Sequence, residues 1–150
     1  MTLFRLSTAS GASVALAAAL GLSAHPAAAQ APNVQGLWKS GDTTIRITVQ
    51  GKEARGQFVE VGDTARNLGF KSADTSFVAA VRDNYLTGSE VIRYGATCHP
   101  QGRQVPMIGR LTADGQSLAL HYYAVEIDKS CRDTGVYNVQ ESLWQRVPGR

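Results

Sequence analysis

The sequence is poor in several things, and each shortage excludes something. It has two cysteines, two methionines and two tryptophans in 150 residues. No segment approaches the ~20 consecutive apolar residues a membrane-spanning helix needs. The basic residues are dispersed, with no Lys/Arg cluster to track a phosphate backbone, so nucleic acid is not an expected partner. No Gly-x-Ser-x-Gly occurs, and no glycine-rich phosphate loop precedes a helix. The serines fall mainly in turn-like segments, where they satisfy backbone groups. Nucleophilic catalysis would need a serine or cysteine beside a base and an orienting acid, and no such set is found. The expectation is a protein that is not an enzyme. The only histidines after the first 29 residues, His99 and His121, match no compact ligand spacing with Cys98 and Cys131. No metal and no cofactor is expected, since oxidised cysteines are not ligands.

The first residues have a processing signature. Met1 to Arg5 is a short positive start, Ala12 to Leu22 is an apolar run, and Ala27-Ala28-Ala29 supplies small residues for cleavage. Residues 1–29 are read as a secretory signal peptide cut near Ala29, leaving 30–150 as one domain that is periplasmic or secreted. The run is too short to span a bilayer, and no cysteine follows it to take a lipid. Losing Arg5 leaves 14 basic against 12 acidic residues, a balance that implies no strongly charged partner. In an oxidising compartment Cys98 and Cys131 are expected to form one disulfide.

From Leu37 onward the dominant period is two. Ile45, Ile47 and Val49 alternate with Arg46 and Thr48, a half-buried strand. Gln50 to Glu53 is a turn, and Ala54 to Val61 is a strand in which Phe58 and Val61 differ in parity, so a bulge or strand end separates them. Gly62 to Asn67 reads as a polar loop, and Leu68-Gly69-Phe70-Lys71 as a short strand. Phe77 to Arg82 is compatible with strand or helical turn, but Asp83-Asn84 before Tyr85-Leu86-Thr87 favours a hairpin. Tyr85 to Tyr94 is a long strand, Gly95 to Gln104 is irregular, and Val105–Leu111, Leu118–Ile127 and Val136–Val147 complete the set. Many short strands at regular spacing argue for a barrel or sandwich.

Asp114-Gly115 between two apolar runs is a strong hairpin signal. The register that keeps one apolar face sets Leu111 opposite Leu118, Gly109 opposite Leu120 and Met107 opposite Tyr122. A one-residue slip would mix the faces. Carried outward, the same register sets Cys98 opposite Cys131, although Pro100 and Pro106 interrupt continuous pairing. A bridge there closes about 33 residues, worth roughly 3–4 kcal/mol in the chain-entropy account, against a domain stability of ~5–15 kcal/mol.

Gly36-Leu37-Trp38 entering the first strand, the meander that follows, and Arg146 on the last strand resemble the calycins, the lipocalin-like eight-stranded barrels. Gly36 through Gln57-Phe58 is also similar to the opening hairpin of avidins. The resemblance implies an all-β fold, a single antiparallel up-and-down barrel of about eight strands. It also implies a tryptophan plugging one end with an arginine packed across it. With only Trp38 and Trp144 present, a biotin site is not expected. The parity of Leu143 and Val147 as core residues sets Trp144 and Arg146 on the opposite side, in conflict with that arginine role.

Trp38, Phe58, Phe77, Tyr94, Met107, Leu120 and Tyr122 are candidates to line a ligand cavity, core filling being their alternative role. Glu90 shares parity with Leu86, Ile92 and Tyr94. Either it stands inside a barrel mouth facing a ligand, or a bulge at Gly88 or a strand end returns it to solvent, the ordinary place for a carboxylate. The expected function is binding of a small apolar or amphipathic ligand. The alternative is a protein-interaction module, such as an inhibitor of an exported hydrolase, using the loops 62–76 and 128–135.

Overall fold

A computed structural model describes residues 33–95 and 97–149. The signal segment and its cleavage point lie outside the described residues. Eight antiparallel strands close into a barrel in chain order: β1 (Gly36–Ser40), β2 (Thr43–Gln50), β3 (Glu53–Glu60), β4 (Thr75–Arg82), β5 (Tyr85–Ile92), β6 (Arg103–Leu111), β7 (Ser117–Ile127) and β8 (Asp133–Arg146). In this up-and-down order the β1–β2, β3–β4, β5–β6 and β7–β8 connections gather at one end. The two chain ends and the remaining hairpins lie at the other.

The strands form where period-two apolarity meets turn chemistry. Gly51 (φ +60°), Asp83 (φ +55°) and Gly115 (φ +69°) supply the left-handed residues of three hairpins. The β6–β7 register has Leu111 opposite Leu118, Gly109 opposite Leu120 and Met107 opposite Tyr122, as the single apolar face requires. In β3 the pairing skips Val59, so Phe58 turns inward while Val59 is exposed. That bulge explains the parity change before Val61. Phe77–Arg82 lies within a strand.

Trp38, Ile45, Ile47, Phe77, Leu86, Leu111, Leu118 and Leu120 are at most 1 % exposed. Each large apolar side chain so buried contributes ~1.5–3 kcal/mol. The end holding the chain termini is closed by Trp38, whose indole N–H donates to the Val34 carbonyl at 2.8 Å. The Arg146 guanidinium covers the same ring at 4.4 Å from its centroid.

Three expectations are corrected. The last strand has the opposite parity: Trp144 is buried and Leu143 is 58 % exposed. The cause is the register, which pairs Trp144 with inward-facing Leu118 and Leu143 with Ala119. Arg146 therefore reaches Trp38 without any bulge. The segment 62–67 is not only loop, since Asp63–Asn67 forms a one-turn helix, α1, with Arg66 paired to Asp63 across i,i+3. Leu68–Lys71 is not a strand. It folds over the barrel, and Phe70 is buried against Phe58 at 4.8 Å between ring centroids.

Cys98 and Cys131 are bonded, with Cα atoms 5.3 Å apart. The β6–β7 pairing stops at Met107 and Tyr122, so the bridge joins the β5–β6 and β7–β8 connections rather than continuing a ladder. Two further links hold the same connections together. His99 Nε2 contacts the Cys131 carbonyl oxygen at 3.1 Å, and Arg103 forks onto Asp133, with Nη2–Oδ2 at 3.0 Å.

Candidate functional site

The end opposite Trp38 is where the barrel opens. Its lid is the β3–β4 connection. Asp42 accepts the Asp63 backbone N–H at 2.9 Å, which fixes the start of α1. Arg93 pairs with Asp74 at 3.1 Å, donates to the Gly69 carbonyl, and covers the Phe70 ring at 4.7 Å. Phe70 is thus pinned from above by Arg93 and from below by Phe58.

Beneath this lid lies a cavity of about 210 Å³, walled by Phe58, Phe70, Glu90, Tyr94, Tyr122, Ala124 and Gln140 among others. A lateral opening of about 190 Å³ shares Phe58, Leu68, Glu90 and Tyr122 with it. That opening emerges between Ser40 and Thr43 on one side and Ser142 and Trp144 on the other. It exists because the barrel seam is short. β1 pairs with β8 only at Trp38–Arg146 and Lys39–Gln145, after which β1 turns into β2. A wider hollow of about 370 Å³ outside the lid is bounded by Leu68, Lys71, Asp74, Arg93 and Pro100. It holds the Arg93–Asp74 ion pair rather than the buried carboxyl.

Glu90 stands at the meeting of the two openings. β5 pairs in unbroken register with β4 and β6, placing Glu90 beside Phe77 and Val105, and Gly88 beside Ala79 and Met107. No bulge at Gly88 turns Glu90 outward, which removes the solvent-exposed alternative. Glu90 is 9 % exposed, and its Oε2 has no hydrogen-bond partner among the described residues. Burial pushes its pKa up to about 8, so the carboxyl is mostly protonated at neutral pH. The hydroxyl of Tyr122 is also pushed up, first by burial and then by the nearby Glu90 charge. The Tyr94 hydroxyl and Arg93 Nε are buried without partners as well.

Of the sequence candidates, the structure brings Phe58, Glu90, Tyr94 and Tyr122 together around the mouth. It does not bring the others there. Trp38 plugs the far end, and Phe77, Met107 and Leu120 fill the interior at 2 % exposure or less. Sequence reasoning missed Leu68, Phe70 and Gln140. Phe70 is the one signal that was present, a large apolar residue in a polar segment. Trp144 faces inward, against the outward face that the parity of Leu143 and Val147 implies. Among the described residues no group of three His, Cys, Asp or Glu side chains is arranged to hold a metal. His121 faces Glu141 at 3.7 Å on the outer surface.

A second surface is distinct from the mouth. Beyond the seam β8 pairs only with β7, and Tyr123, Val136, Tyr137, Val139 and Leu143 are each about half exposed or more. No helix of the described residues is long and apolar enough to cross a membrane. Compared with protein-family models, with curated proteins and with solved structures, the chain matches none.

Proposed function

We propose that this is an exported, non-enzymatic binding protein of calycin type that takes a small apolar or amphipathic ligand into the barrel mouth. The observation that carries the reading is the aromatic-walled cavity beneath Phe70, with one unpartnered buried carboxyl, Glu90, on its wall. Apolar walls supply binding free energy, and a few placed polar groups fix orientation. Export is supported by the disulfide and by the leader-like first 29 residues. The test is titration with an environment-sensitive apolar fluorophore against the protein and an Ala124→Trp variant. Saturable binding that the tryptophan abolishes, with circular dichroism unchanged, supports the reading. Binding that survives in the variant, or no binding to either protein, overturns it.

The exposed apolar ribbon of β7 and β8 supports a second reading, a module that docks on another exported protein such as a hydrolase. A one-sided strand edge with Tyr137 66 % and Val139 63 % exposed is suited to strand addition. Inhibition of a secreted hydrolase, lost in a Tyr137→Ser/Val139→Ser variant that keeps the fluorophore site, would select this reading instead.

A further inference from the structure

We propose that the ligand's polar end is a protonated amine, and that Glu90 is the group that receives it. This rests on the mouth-binding reading above and names the ligand chemistry within it.

Glu90 projects from the middle strand of three into the cavity, and what faces it from each packed element is nearly all uncharged. β4 contributes Phe77 and Ser76, β3 Phe58, the lid Leu68 and Phe70, and β8 Gln140 and Ser142. The titratable groups are Tyr122 from β7, and Arg93 and Tyr94 just after β5. Arg93 is the only cation among them, and it is committed to Asp74 and to the Gly69 carbonyl. Among the described residues the Glu90 Oε2 is therefore buried without a partner, and the one cation nearby, Arg93, has Nη1 on the Gly69 carbonyl and Nη2 on Asp74, with only its Nε left over. A buried, unmatched polar group is costly, and a ligand ammonium supplies both the donor and the charge.

A ligand carboxylate fits the same place less well. It would set two acids side by side with one proton between them, beside a cation, Arg93, whose charge is already matched by Asp74. The aromatic rings of Phe58 and Tyr122 favour a cation instead. Size narrows the class. A cavity of about 210 Å³ exceeds the ~150 Å³ apolar cavity that admits benzene. One ring with a two-carbon amine arm is therefore of suitable size.

The proton balance follows. At neutral pH the free site carries its proton on Glu90, and an ammonium enters as that proton leaves to solvent. Amine affinity should rise roughly tenfold per pH unit below the Glu90 pKa and level off above it.

The experiment is calorimetric titration of the purified protein with 2-phenylethylamine, 2-phenylethanol and 3-phenylpropionate at pH 6 and pH 7.5. An alkylamine stays protonated throughout, since such groups titrate near pH ~10. The expected result is amine binding at least about tenfold tighter than the alcohol at pH 7.5. Affinity should gain about twenty-five-fold from pH 6 to pH 7.5, with close to one proton released per amine bound at pH 7. Glu90→Gln should keep the alcohol and lose the amine preference. In the unmodified protein, carboxyl-carbon NMR should show the Glu90 titration falling when amine is added, a readout independent of any variant. Alcohol binding equal to amine at both pH values, an amine preference that survives Glu90→Gln, or tightest binding of the acid each overturn the amine assignment while leaving mouth binding intact. Failure of all three probes overturns both.

Discussion

The Arg146 guanidinium lies 4.4 Å from the centroid of the Trp38 ring and fastens two separate stretches of chain around it, residues 33–35 and the β6–β7 turn. Nε donates to the Gly115 carbonyl at 2.7 Å, Nη1 to Gln35 at 2.8 Å, and Nη2 to Asn33. Gly36, at φ +140°, leaves the space, since a Cβ there would stand 2.9 Å from Arg146 Nη1. This closed end is what leaves the opposite end as the mouth.

Arg146→Ala should cost about 2–4 kcal/mol, the loss of a cation–π contact and three charge-assisted hydrogen bonds. Arg146→Lys should recover only part, because a single ammonium cannot reach the three carbonyls in a fixed fork. Urea denaturation of the three proteins checks both. A loss under 1 kcal/mol for the alanine variant would mean that the cap is ornamental.

Glu90 should make the protein less stable as pH rises. Its folded pKa, about 8, is above the ordinary carboxyl value of 4.5, so the folded state binds the proton more tightly than the unfolded chain. Stability is greatest below about pH 4.5, falls through the window up to about 8 at no more than ~1.4 kcal/mol per unit, and then levels. Other carboxylates act in the opposite sense. Asp133, held low first by its hydrogen bond from Arg103, loses its contribution as pH falls through its lowered value. The difference between Glu90→Gln and the parent isolates the effect. Melting temperatures should coincide near pH 4 and separate by pH 8 in favour of glutamine. Equal melting temperatures at pH 8 would place the carboxylate in water.

Reduction of Cys98–Cys131 should lower stability by roughly 3–4 kcal/mol, the closure entropy of 33 residues. The loss should appear first at the mouth, because the bridge ties the β5–β6 connection to the β7–β8 turn. Hydrogen exchange on the reduced protein should show faster exchange around Gly102–Arg103 and Asp128–Arg132 than around β1 and β2. Uniform acceleration would count against that local role.

Gly88→Ala should destabilise by about 2 kcal/mol or more. A Cβ at this position would lie 2.1 Å from the Val78 carbonyl oxygen and 2.5 Å from the Ala79 Cα, both backbone atoms. Only a shift of β4 against β5 could relieve it. A variant with parent-like stability in chemical denaturation would show that the two strands are not held that close.

The sequence by itself determined what depends on near neighbours. Alternation from Ile45 to Val49 makes strands, Asp114-Gly115 makes the turn between β6 and β7, and one apolar face selects its register. The cysteine pair was legible from two cysteines behind a leader-like segment, not from the register, since the β6–β7 ladder ends at Met107–Tyr122, short of the bridge. Trp144 was decided only by tertiary structure, since its face follows from lying opposite Leu118 on another strand, not from its own neighbours Leu143 and Val147. Phe70 was decided in the same way, by a space beside Phe58 that no period-two pattern encodes. Glu90 is the sharpest case. Its parity was legible, but a carboxylate is ordinarily found in water, and only the unbroken pairing of β5 on both sides holds it inside.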